Sequence, residues 1–302
     1  GIINLRKIKK FDTLIISSPP LFTGVIGLFA KKFHNQDFWL DIRDLWPDSA
    51  LALGQIREGI LFNFGKYLEK KIYANAKGFI FPVPGFRDYL SKFSSEISSK
   101  PMIDLMNGVS KDFLNKAANI KTNKEKKFIV LYSGNMGLAQ DLNTVIKAAK
   151  ILKDYEIYFS FIGQGVCKEE IMKTSQNLGN KVEFKDSMPR DKLIKYIKNS
   201  SICLVPLKNK KLFKRAIPSK IFEYMACKKP IILGVSGYAG ELVLRSKCGM
   251  SVPPENSKVL ARAILTYFNN EEKLKKEGEN GLRFVTRNLE KEVLVSSFIK
   301  KI

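Results

Sequence analysis

The chain has 302 residues, 45% of them hydrophobic, and 52 lysines and arginines against 29 aspartates and glutamates, a formal net charge of +23. That length holds one large core or two domains of ordinary size, and the apolar fraction is that of a globular protein. The longest apolar run, residues 21–30, is broken by Thr23, Gly24 and Gly27 and falls short of the roughly 20 residues of a spanning helix, so no integral membrane segment is expected.

Cys167, Cys203, Cys227 and Cys248 are widely spaced and include no CxxC pair, which suits a reducing compartment and argues against a disulfide framework or a zinc site. The basic surplus is uneven, with 17 basic against 11 acidic residues in 1–120 and 35 against 18 in 121–302. Such a charge fits nucleic acid, anionic lipid head groups or a phosphate-rich ligand. It also fits a Lys-, Asn-, Ile- and Phe-rich composition set by an AT-rich genome. The chain opens Gly1-Ile2-Ile3 with neither Met nor a signal-peptide pattern, so upstream residues are expected to be missing.

In chain order, the first part alternates short apolar runs with helical periodicity. Strands are expected at 13–17, 38–42 and 78–81, and helices at 21–33, 56–76 and 86–93. Residues 102–106 then lead into the turn Asn107-Gly108. Residues 114–127, rich in Lys and Asn, lose the apolar period and read as a linker after a first domain ending at 113. The second part, 128–288, repeats the alternation: strands at 128–132, 157–162, 182–184, 202–205, 231–233 and 249–252, helices between them, two closing helices near 256–268 and 271–287, and a tail at 289–302. Strands alternating with helices predict an α/β fold of two Rossmann-like parallel sheets, with ligands in a cleft at the carboxyl ends of the strands.

Those strand ends carry the candidate chemistry. Ser133-Gly134-Asn135-Met136-Gly137 and Gly163-Gln164-Gly165 each follow a strand and allow backbone to approach a ligand. Neither is a G-x-G-x-x-G fingerprint or a Walker loop, which removes support from dinucleotide redox and P-loop chemistry. Residues 206–217 bring Lys208, Lys210, Lys211, Lys214 and Arg215 to Pro218-Ser219, where Ser219 reads as the N-cap of a helix running through Lys220 and Glu223. A basic loop delivering a helix N-terminus is the outline of a diphosphate site. Glu223 lies one position too far from Ser219 for a capping box, so helix initiation does not account for it. His34, the sole histidine, sits at an expected helix end, and a His-based catalytic base is therefore not anticipated. No Asp-x-Asp pair occurs, so a metal-bridged nucleotide is not expected either.

The ordered series S-G-N-M-G, F-I-G-Q-G, P-S-K-I-F-E-Y-M-A-C-K-K-P-I-I, G-Y-A-G-E-L-V and C-G-M-S-V-P-P-E-N resembles the carboxy-terminal half of glycosyltransferase family 4, retaining enzymes of the GT-B fold. D-I-R-D-L-W-P-D-S-A-L-A-L-G at 41–54 and N-G-V-S at 107–110 are similar to its bacterial surface-polysaccharide branch, the L-fucosamine-transferase-like enzymes.

The resemblance implies a nucleotide-sugar donor, UDP-linked, and a lipid-linked saccharide acceptor in O-antigen or capsule synthesis. It implies a peripheral position on the cytoplasmic face of the membrane, with neither cofactor nor metal and no nucleic-acid partner. Glu223 matches the second glutamate of the family's paired motif, a ligand of the ribose hydroxyls, while Arg215 stands where the first is expected. Asn135 and Gln140 occupy the places of the family's diphosphate-clamping Arg and Lys, which leaves Lys220, Arg215 and the backbone of Gly134–Gly137, with Gly163 beside it, to hold the diphosphate. Lys220 and Glu223 are the catalytic candidates. Asp41, Arg43, Asp44 and Trp46 are candidates for the acceptor side, and equally for an internal Arg–Asp pair beside a packed Trp-Pro loop. A basic binding module without catalysis and a GT-B epimerase stay open as alternatives.

Overall fold

The computed structural model describes residues 12–121 and 127–302, which divide into two units, one through Met106 with Leu294–Ile302 added, the other Asn107–Val293. Every ladder in both sheets is parallel.

The first unit runs β1 (Leu14–Ser18), α1 (Thr23–His34), β2 (Phe38–Ile42), α2 (Asp48–Ala52), α3 (Ile60–Asn75), β3 (Gly78–Phe81), the short helices α4 (Arg87–Leu90) and α5 (Ser95–Ser98), and β4 (Met102–Asp104), with sheet order β1-β2-β3-β4. β3 is buried throughout and β2 is buried except at Asp41, because both faces of the sheet are covered, as parallel strands require. The single helix expected at 56–76 begins only at Ile60. Gly59, at φ +159, takes an extended conformation that stops the helix from starting earlier. The short helix expected at 86–93 ends at Leu90.

The second unit runs α6 (Lys111–Asn119), β5 (Phe128–Ser133), α7 (Leu142–Ile151), β6 (Ile157–Ile162), α8 (Lys168–Thr174), β7 (Val182–Lys185), α9 (Arg190–Asn199), β8 (Ile202–Pro206), α10 (Lys220–Ala226), β9 (Ile231–Gly234), α11 (Tyr238–Ser246), β10 (Gly249–Ser251), α12 (Ser257–Phe268) and α13 (Glu271–Asn288). Its sheet order is β10-β9-β8-β5-β6-β7. The chain turns one way from β5 to β6 and the other way to β8, so the topological switch point lies between β5 and β8, where open α/β sheets bind ligands.

Two expected boundaries are corrected. The first part of the expected linker, 114–119, belongs to the helix Lys111–Asn119: Phe113 and Ala117, four apart, are buried, and Ser110 caps the helix by accepting from Phe113 N at 3.3 Å. Phe113, Leu114 and Ala117 keep helical spacing, but in a short helix set among lysines and asparagines, a signal that the linker expectation passes over. The later part of that stretch, 122–126, lies outside the described residues. The tail at 289–302 is helical as well, as α14 (Lys291–Ile299). Its Phe298 packs with Trp39, Ile80 and Ile103, which returns the chain end to the first unit.

Candidate functional site

At the carboxyl end of β5 the backbone enters Gly134 at φ +126, and at the end of β6 it enters Gly163 at φ +150. The two turns are pressed together. Gly134 N donates to Ile162 O at 2.9 Å and Met136 N to Gln164 O at 2.7 Å, and a Cβ on Gly163 would stand 1.9 Å from the Gly134 carbonyl oxygen. A Cβ on Gly165 would stand 2.4 Å from Met136 O. These glycines are therefore demanded by backbone meeting backbone. Gly137 N donates to Gln140 Oε1 at 3.1 Å, and the Asn135 side chain crowds both Gly137 and Gly165, so Asn135 and Gln140 shape the loop.

Helix α10 reaches the same place from β8. Its expected N-cap is corrected: Ser219 has helical φ −61 and ψ −27, is exposed, and its side chain caps nothing. The turn is closed instead by backbone, with Ile221 N donating to Pro218 O and Phe222 N to Ser219 O, both at 3.1 Å. Lys220, the first helical residue, lays its Nζ 4.1 Å from the Tyr132 ring centroid, and a Cβ on Gly134 would stand 2.9 Å from that nitrogen. Loss of water around the ammonium lowers its pKa to about 8, against the opposing pull of Glu223. Lys220 is thus a cation aimed at the glycine turn.

Glu223, half-buried, pairs through Oε1 with Arg190 at the start of α9, whose guanidinium lies 4.9 Å over the Phe113 ring of α6. The residue that sequence reasoning missed is Tyr224. It is fully buried, accepts a hydrogen bond from Ser133 N at 3.1 Å and shares another with Ser133 Oγ at 2.9 Å, which fastens α10 to the last residue of β5. Burial holds its hydroxyl protonated far beyond the ordinary tyrosine range. Arg215 closes a 3-10 turn, Lys211–Arg215, and among the described residues has no ion-pair partner. That turn is set by Gly237, φ +85, whose Cβ would stand 2.1 Å from Lys214 O. Gly134, Asn135, Gly137, Gly163, Lys220 and Glu223 therefore gather at the β5/β8 switch point.

In the first unit the acceptor-side candidates are tied to their own surroundings. Asp41 accepts from Ser17 Oγ at 2.7 Å and stands 3.7 Å from Arg43, and Asp44 accepts from Leu45 N at 2.8 Å and Ser49 Oγ at 3.0 Å. Burial raises the Asp44 pKa against those two hydrogen bonds. Trp46 lies 6.4 Å from the Phe22 ring and against Gly65 of α3. The internal Arg–Asp pair and the packed Trp-Pro loop are thus both present.

The same segment carries Asp48, which enters a network that the sequence does not announce. Lys66 Nζ lies 2.8 Å from Asp48, 2.5 Å from the fully buried Glu69 and 2.7 Å from the Tyr89 hydroxyl, whose one hydrogen serves Asp48 at 2.6 Å and Glu69 at 2.9 Å. Burial raises the Glu69 carboxyl even with Lys66 opposing it. Lys66→Met is expected to destabilise the chain by about 2 kcal/mol, because a buried carboxylate loses its counter-charge while the partly exposed site tempers the loss. The deficit should be larger at neutral pH than in mild acid. With Glu69 raised further in the folded state, the unfolded chain sheds the proton first, and stability falls as pH rises between the two values. Urea unfolding at both pH values measures it.

The family model for glycosyl transferases group 1 matches residues 115–284. WcaI of Escherichia coli, provisionally named a colanic acid biosynthesis glycosyl transferase, is 28% identical over 182 residues, covering 59% of this chain and 44% of its own. The chain spans about half the length of the curated relatives it matches. Among solved structures, sucrose-phosphate synthase from Thermosynechococcus elongatus superposes with a TM-score of 0.77 at 20% identity, over 95% of this chain and 72% of its own. HepE of Anabaena, in complex with UDP and glucose, gives 0.72 at 15% identity, over 95% and 77%. These two likenesses establish the fold, the GT-B pair of parallel-sheet α/β domains.

Proposed function

The chain belongs to the glycosyl transferases group 1 family, and we propose that it transfers a sugar, with retention, from a UDP-sugar to a lipid-linked saccharide in bacterial surface-polysaccharide synthesis. The reading places it in glycosyltransferase family 4, in the L-fucosamine-transferase-like branch, working at the cytoplasmic face of the membrane without a metal. The observation that carries it is the convergence of Lys220, the paired glycine turns and Glu223 at the β5/β8 switch point. Support for the donor comes from HepE, solved with UDP, and for the pathway class from the name of WcaI.

Each residue then has a chemical task. The ammonium of Lys220 and the backbone N–H groups of the glycine turn neutralise the diphosphate, whose charge grows as it leaves. Glu223, with Oε1 held by Arg190, keeps Oε2 to accept from a ribose hydroxyl. Arg215 supplies a further cation to the diphosphate. The acceptor hydroxyl oxygen attacks the anomeric carbon from the side the diphosphate leaves. The glycosidic C–O bond forms, the bond to the phosphate oxygen breaks, and the hydroxyl proton passes to the departing phosphate. Asp41 and Arg43, with Asp44 and Trp46 beside them, orient the acceptor saccharide.

Product analysis tests the reaction. Incubation of UDP-sugars with a lipid-linked saccharide should give a glycosidic bond of the donor's anomeric configuration. An inverted product would overturn retention, a new sugar nucleotide without an acceptor would indicate an epimerase, and salt-sensitive binding of nucleic acid with no affinity for UDP would indicate a basic binding module.

A further inference from the structure

Helix α3 is apolar on two faces. Its inner face, with Gly65, Leu68, Glu69, Ile72 and Tyr73, is buried. On the opposite side Ile60, Phe64 and Tyr67 fall at helical spacing and are 89%, 53% and 61% exposed, and neighbouring Leu61 is 77% exposed. A stripe of large apolar side chains turned to water is costly to keep unless something covers it. The stripe ends in Lys70 and Lys71, both exposed, with Lys71 Nζ 5.8 Å over the Tyr67 ring. The only acidic residue of the helix, Glu69, is fully buried, so the exposed surface of α3 is apolar and cationic without a carboxylate.

That combination selects among occupants. In an antiparallel pairing of two copies through this stripe, Lys70 and Lys71 would lie against Ile60 and Leu61 of the other copy, where the helix supplies no carboxylate. The one acidic residue just before it, the exposed Glu58, is offset by the adjacent exposed Arg57, so the two lysines would face a net surplus of positive charge. A bilayer surface meets both needs at once, with acyl chains for the apolar side chains and anionic head groups for the lysines, while tyrosine suits the boundary between them. Among the described residues no helix is long and apolar enough to cross a membrane, so the contact would be one lying in the interface.

We infer that the outer face of α3 docks this chain on an anionic lipid surface. The inference rests on the lipid-linked acceptor proposed above and gives it a geometry. The segment holding Asp41, Asp44 and Trp46 packs on the inner face of the same helix through Trp46 and Gly65. Docking therefore holds the acceptor-side loop about one helix diameter, roughly 10 Å, above the lipid, within reach of the first sugars of a lipid-linked saccharide.

Vesicle flotation tests the inference, with vesicles of phosphatidylcholine alone and of phosphatidylcholine and phosphatidylglycerol in equal parts. The wild-type chain should float with the mixed vesicles, and added salt should weaken that binding. Ile60→Ser combined with Phe64→Ser should reduce partitioning by roughly tenfold or more. Lys70→Gln combined with Lys71→Gln should reduce it by roughly tenfold on mixed vesicles only. All four side chains are exposed, so unchanged thermal melts are expected, and UDP affinity measured in parallel should not move. Flotation of the serine variant equal to wild type would overturn the inference. So would a dimeric wild type that the serine variant converts to monomer with vesicle binding intact. Vesicle binding that follows α3 in a chain without UDP affinity would keep the docking surface and remove the donor reading, and UDP binding without flotation would do the reverse.

Discussion

Lys220→Ala is expected to weaken binding of a nucleoside diphosphate by roughly 100-fold, since a desolvated charge-assisted contact contributes about 2 to 3 kcal/mol, while the affinity for the nucleoside alone changes little. The contrast follows from position. Lys220 Nζ faces the glycine turn, with the Tyr132 ring closing one side, whereas Glu223 lies one turn along α10. Calorimetric titration of UDP and of uridine measures both effects, and equal losses for the two would mean that Lys220 supports the helix and not the diphosphate. The pH profile adds a second readout. With Lys220 lowered to about 8 by desolvation, the free chain loses the ammonium as pH rises through that value, so UDP affinity should fall there in wild type and stay level in the alanine variant. Stability moves in the opposite sense. The folded chain releases this proton before the unfolded chain does, so the contribution of Lys220 to stability rises with pH above about 8.

Gly163→Ala is expected to cost about 4 kcal/mol of stability, well beyond an ordinary Gly-to-Ala change, because it combines backbone strain with overpacking. The added Cβ would stand 1.9 Å from the Gly134 carbonyl oxygen, and the backbone of both residues is fixed by hydrogen bonds, Gly134 N to Ile162 O and Gly163 N to Lys185 O at 3.0 Å. Relief requires the Gly134 turn to move away from β6, which also moves the wall facing Lys220. Thermal unfolding should show the loss, and UDP titration of whatever remains folded should show weakened binding. A variant with wild-type stability would mean that the two turns are not in contact as described. Gly179→Ala makes a useful contrast, since its Cβ would meet nothing within 4 Å and only the positive φ opposes it.

The strands and the glycine turns were legible in the sequence because parallel strands covered on both faces read as apolar runs ended by small residues, as at Phe128–Ser133 followed by Gly134. What escaped depended on partners distant along the chain. Tyr224 reads as one more apolar position of α10 until Ser133, 91 residues earlier, is beside it. Arg190 and Glu223, 33 residues apart, form a pair that no local spacing suggests. Ser219 misled for a different reason: a serine after proline is a common N-cap, yet the backbone carbonyls of Pro218 and Ser219 already close the first turn and leave the hydroxyl unused. The end helix α14 buries only Phe298, so its period is faint in isolation, whereas in α6 the helical spacing of Phe113, Leu114 and Ala117 was present but short and set among lysines and asparagines.

Calorimetric titration of UDP-glucose into the wild-type chain, Lys220→Ala and Glu223→Ala is the most direct test that the β5/β8 switch point is a nucleotide-sugar site. Saturable one-to-one binding to wild type is expected, with both variants weakened, Lys220→Ala through the diphosphate and Glu223→Ala through the ribose. No binding to the wild-type chain, or binding that both variants retain in full, would contradict it.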